Sequence, residues 1–118
     1  MATSYFKREK ESVLCARSWA TEVYSANGGP EPDICELLVS EVATNAVLHG
    51  EGSEYRVTVW GDHSIEVWDA SPKEPQRRYA DEEETCGRGL ELLEALAPNY
   101  TVSAEVGGKS VRFTPKGW

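Results

Sequence analysis

The sequence predicts an α+β fold, a two-layer α/β sandwich in which helices cover one face of a mostly antiparallel sheet. Three observations support it. Segments of helical and strand period follow one another as helices, hairpin, loop, helix, hairpin, whereas a doubly wound sheet would alternate strand with helix. Residues 55–60 and SIEVWD at 64–69 alternate across a Gly61-Asp62-His63 turn, as the two arms of an antiparallel hairpin do. A second pair of strand-like segments, 100–106 and 109–114, is joined by Gly107-Gly108 and closes the sheet in the same manner.

Each element has a local reason. A short strand is expected at Ser4 to Phe6. Ser12 then stands as an N-cap before Val13, Ala16, Ala20 and Val23 at helical spacing, and Asn27-Gly28-Gly29-Pro30 ends that helix. The second helix starts near Pro32-Asp33 and stops at Gly50. Ile34, Leu37, Leu38, Glu41, Asn45 and Leu48 recur at three- and four-residue steps, so they are expected on one inward face. In the first hairpin Tyr55, Val57 and Val59 share a face, as do Ile65, Val67 and Asp69. Arg56, Thr58, Trp60, Glu66 and Trp68 are left to the outer face. Two tryptophans there exceed what solvation requires. They mark an interface with a partner or with a second copy in a homodimer, or else a surface covered by Tyr5 and Phe6. From Pro72 to Cys86 the prolines, mixed charges and lack of apolar period describe a mobile surface loop. Leu90, Leu92, Leu93 and Leu96 mark the short third helix.

A chain of 118 residues is expected to form one domain, 1–118, large enough to bury a core without disulfides or structural metal. Twenty acidic residues against twelve basic ones give a net charge of -8. Such a chain repels nucleic acid and anionic membrane and points to protein or small-molecule partners. Cys15, Cys35 and Cys86 are odd in number and lack zinc-ligand spacing, so reduced structural thiols are expected. The N-terminus carries no apolar h-region and no segment approaches membrane-spanning length, which makes the cytoplasm the expected location.

Four separated signals carry chemistry. Glu41 and Asn45 are polar where a core residue is expected, and form either a satisfied polar pair or one wall of a pocket. Asp69, at the end of a buried strand, either opens the loop before Ser71-Pro72 or accepts a hydrogen bond from an amino group. Gly87-Arg88-Gly89-Leu90 opens a helix, where free N–H groups suit a phosphate, although an ordinary loop has the same composition. Gly107-Gly108-Lys109-Ser110 is by itself a turn.

In combination and in this order, E-x-x-x-N, D-x-S-P, G-x-G and G-G-x-S resemble the ATP-binding domain of the GHKL superfamily, with its Bergerat or histidine kinase-like ATPase fold. SEVATNAVLHG, VWDASP and GRGLELLEALA resemble most closely its small single-domain branch, the anti-sigma-factor serine/threonine kinases and their actinobacterial relatives. The resemblance runs from Tyr5 to Phe113. It implies that Glu41 is the general base, Asn45 the magnesium ligand and Asp69 the residue that recognises adenine. It implies that Gly87, Arg88, Gly89 and Leu90 meet the phosphates and that Ser110 replaces a threonine near adenine, with residues 72–86 as a lid. The implied cofactors are ATP and Mg2+, and the implied partners are a sigma factor and a STAS-type anti-anti-sigma protein, with no direct contact to nucleic acid or membrane. The sequence departs from the superfamily at D-x-G-x-G, where Asp69-Ala70-Ser71-Pro72-Lys73 carries neither glycine. That departure keeps a non-catalytic switch or scaffold of the same fold as the alternative. His49 is expected to end the second helix near its negative dipole rather than to take part in catalysis.

Overall fold

The computed structural model describes residues 1–71 and 89–115, with side chains of the third helix described from Leu93 onward. The elements run β1 (Ala2–Lys7), α1 (Ser12–Ala26), α2 (Pro32–His49), β2 (Glu54–Val59), β3 (Ile65–Asp69), α3 (Gly89–Leu96), β4 (Thr101–Glu105) and β5 (Gly108–Phe113). The strands form one five-stranded sheet in the order β1-β2-β3-β5-β4, and every neighbouring pair is antiparallel. This is the α+β architecture that the element order predicts.

The two-residue period decides which side chains the sheet buries. Tyr55, Val57, Val59, Ile65, Val67, Val111 and Phe113 point to the helices and join Ala16, Ala20, Tyr24, Cys35, Leu38, Val39, Val42, Ala43, Ala46, Leu93 and Ala97 in one core. Burial pushes the thiol of Cys35 and the phenol of Tyr24 each up to about 12, so both stay protonated near neutral pH. Tyr24 also donates its hydroxyl to the Pro30 carbonyl, which ties the end of α1 to the connection that follows.

Three expectations are corrected. The N-terminal strand is longer than Ser4 to Phe6 because it pairs along β2 from Ala2↔Val59 to Lys7↔Glu54. It therefore extends the sheet rather than covering its outer face: Phe6 packs on Trp19 and Tyr55, while Tyr5 is 57% exposed. Ser12 is the first helical residue rather than the cap, and its hydroxyl lies 2.8 Å from the Glu9 carbonyl and 2.7 Å from the Tyr55 hydroxyl. On α2, the buried stripe is Cys35, Leu38, Val39, Val42, Ala43 and Ala46, whereas Leu37 and Leu48 are 42% and 44% exposed. Glu41 and Asn45 thus occupy the half-buried flank of the stripe rather than its centre.

On the outer face the tryptophans are capped by cations. The Arg56 guanidinium lies 5.3 Å from the Trp68 ring centre and that of Arg112 lies 4.5 Å from Trp60. Trp60 donates its indole N–H to Glu66 at 3.1 Å. Both tryptophans are half-buried on this face, each with a cation over its ring.

The C-terminal end of α2 is fixed from a distance. Arg8 donates to the Val47 carbonyl and to the Gly52 carbonyl, both at 2.7 Å. A cation on the last-turn carbonyls satisfies acceptors that the helix leaves open. His49 is the last residue of α2, as expected.

Candidate functional site

Asp69 is the last residue of β3 and faces the helices with Ile65 and Val67, as the period requires. Its direct cross-strand partner is Lys109. The Lys109 ammonium donates to Oδ1 at 3.0 Å and to Oδ2 at 2.8 Å, and the two side chains are only 8% and 7% exposed. The backbone N–H of Ser71 adds a bond to Oδ1 at 2.8 Å. Burying this carboxylate is tolerable because its charge is matched and its oxygens are bonded.

Gly50, just past α2, closes against the same residue. A Cβ there would lie 2.3 Å from the Ala46 carbonyl oxygen and 3.2 Å from both Cβ and Cγ of Asp69. The glycine that ends the helix is thus also the one that lets helix backbone approach the carboxylate. Counting back along α2 at the helical rise, Asn45 lies roughly 7–8 Å and Glu41 roughly 13–14 Å along the axis from that contact. One oxygen of Glu41 is shielded from solvent. Glu41 and Asn45 lie one turn apart on one flank of α2, and Asp69 meets the C-terminal end of the same helix. α3 packs against α2, and Gly89 and Leu90 form its first turn. Gly87, Arg88 and the loop at 72–86 lie outside the described residues.

Ser110, expected beside Asp69, is on the other face of the sheet. It stands opposite Trp68 and donates its hydroxyl to Glu105 Oε2 at 2.7 Å. The residue of the closing hairpin on Asp69's face is Lys109. Sequence reading passed over it, although Lys109, Val111 and Phe113 follow the two-residue period that turns all three inward, and an inward lysine calls for an acid.

Gly108 holds this register. A Cβ there would come within 2.1 Å of the Asp69 carbonyl oxygen and 2.9 Å of the Trp68 indole nitrogen. The first of these is backbone, so no rotamer change relieves it. Gly108→Ala should destabilise the fold by about 3 kcal/mol, the upper end of ordinary overpacking costs, and urea denaturation measures it. An unchanged midpoint would mean that the strand ends part freely.

No group of three or more His, Cys, Asp or Glu is placed to hold a metal among the described residues, and none of their helices is long and apolar enough to cross a membrane.

Residues 6–114 match the family model of the histidine kinase-like ATPase domain. No curated protein gives a match. Among solved structures, the chain is similar to the RsbU and RsbW domains of Rv1364c from Mycobacterium tuberculosis, with a TM-score of 0.62 at 18% identity. That match covers 99% of this chain and 33% of the other, so the chain spans about one third of that structure's length and the likeness is one of fold.

Proposed function

The chain belongs to the histidine kinase-like ATPase domain family, and on that premise we propose that it is an ATP-binding regulatory protein. In this reading it sequesters a sigma factor and phosphorylates a serine or threonine of a STAS-type anti-anti-sigma antagonist. The observation that supports it is the buried carboxylate of Asp69 at the end of β3, set against the glycine that ends the helix bearing Glu41 and Asn45.

Asp69 accepts a hydrogen bond from the amino group of the base, and Gly50 places no side chain against it. Gly87 and Gly89 flank the segment that meets the phosphates, and the backbone N–H groups of Arg88, Gly89 and Leu90 serve them, as a glycine-rich entry into a helix can. Asn45 fits a magnesium ion, which takes few protein ligands and is otherwise held by phosphate oxygens and waters. The amide oxygen of Asn45, on the half-buried flank of α2, is a hard oxygen donor of the type such an ion takes. When bound, the ion supplies charge neutralisation at the phosphate oxygens. Glu41 accepts the proton of the attacking hydroxyl.

Calorimetric titration with ATP and magnesium tests the reading. The unmodified protein should bind, and Asn45→Ala should weaken binding in magnesium by about 1.4 kcal/mol, or tenfold in Kd, with the magnesium dependence lost. Absence of binding in the unmodified protein would remove the nucleotide reading altogether. Binding without transfer to any antagonist would favour the non-catalytic switch, the reading motivated by the two glycines missing after Asp69.

A further inference from the structure

We propose that Lys109 is a second base-reading residue, donating an N–H to the ring nitrogen next to the amino group of a bound 6-aminopurine nucleotide. The inference rests on the assignment of Asp69 to the base and adds a residue to that site.

An ammonium has three N–H donors. Two of those of Lys109 go to Oδ1 and Oδ2 of Asp69. The third has no acceptor among the described residues, although the residue is more than nine-tenths buried. A buried N–H of a charged group calls for a partner, and among the described residues none takes that place.

Asp69 gives the complementary count. A carboxylate offers about four lone-pair positions. Lys109 occupies one on each oxygen and the Ser71 N–H a second on Oδ1. Among the described residues one acceptor position remains, on Oδ2, which sits 2.8 Å from the Lys109 nitrogen. The pair thus presents one acceptor and one donor side by side. The edge of a 6-aminopurine presents their complement, an amino N–H next to an unprotonated ring nitrogen. Gly50 itself brings no side chain against Asp69, where a Cβ would stand 3.2 Å from its Cγ. Lys109 therefore does not compete with the base for Asp69. It fixes which lone pair the amino group takes and reads the neighbouring atom.

The test compares ATP with 1-deaza-ATP, in which a C–H replaces that ring nitrogen, by calorimetric titration of the full chain. The unmodified protein should bind the analogue roughly 10- to 100-fold more weakly than ATP, the range for a hydrogen bond to a charged group. Lys109→Met should bind the two alike. Should that variant not fold, Asp69→Asn with Lys109→Met leaves no charge buried alone and should also bind both nucleotides alike. Equal affinity of the unmodified protein for ATP and the analogue would overturn the role of Lys109 while leaving the nucleotide site standing. Discrimination that persists without Lys109 would overturn it too. Failure to bind ATP at all would remove the site and this inference together.

Discussion

Glu41→Gln should slow phosphoryl transfer to the antagonist by roughly 100- to 10,000-fold, the usual contribution of a positioned general base, with ATP affinity retained. The substitution keeps the size of a half-buried side chain on the flank of α2 and removes its charge and its capacity to take a proton. Because the carboxylate lies more than two helical turns from the contact between Gly50 and Asp69 along α2, the base end of the site should not sense the change. Transfer of labelled γ-phosphate to the antagonist measures the rate, and titration with ATP checks that the pocket survives. Transfer at the unmodified rate would mean that Glu41 is not the base. Loss of ATP binding together with transfer would assign it to the structure of the pocket.

Asp69→Ala should cost about 3–5 kcal/mol of stability, the effect of leaving one charge of a buried pair without its partner. Lys109 cannot escape to solvent without leaving the register that Gly108 imposes, since its neighbours on β5 are buried on both sides. Adding Lys109→Met to Asp69→Ala should recover most of the loss, because both charges are then gone. Thermal or urea denaturation of the single and double variants measures this as a coupling energy. Additive losses would show that the pair contributes by packing alone. The same series guards the binding experiments, since lost affinity in an Asp69 variant is informative only where the variant is folded.

The fold was legible where one face of an element is strictly apolar. Tyr55, Val57 and Val59 on β2, and Ile65, Val67 and Asp69 on β3, alternate so plainly that Asp69 could be turned inward from its position alone. α2 was harder. It is apolar on most of its circumference, with Ile34, Cys35, Leu37, Leu38, Val39, Val42, Ala43, Val47 and Leu48 in eighteen residues. Three- and four-residue steps can therefore be drawn through more than one stripe. Packing against α1 and the sheet chose the stripe through Cys35, Leu38, Val39 and Val42, which moved Glu41 and Asn45 to its flank. Ser12 failed as a cap for a related reason: the hydroxyl of Tyr55, 43 residues away, lies within hydrogen-bonding distance of its oxygen.

What the sequence determined by itself was the element order, the antiparallel sheet with helices on one face, the inward carboxylate at Asp69 and the helix stop at Gly50. Each of these follows from spacing within a few residues or from the backbone demands of glycine and proline. Only tertiary structure decided that Lys109, 40 residues from Asp69, is its counter-ion and that Ser110 lies on the far face. It alone set Gly50 against the carboxylate and Arg8 on the last turn of α2. Those outcomes depend on strand register and close approach between segments distant in the chain, and a shift of one residue in pairing would have reversed every side chain of β5.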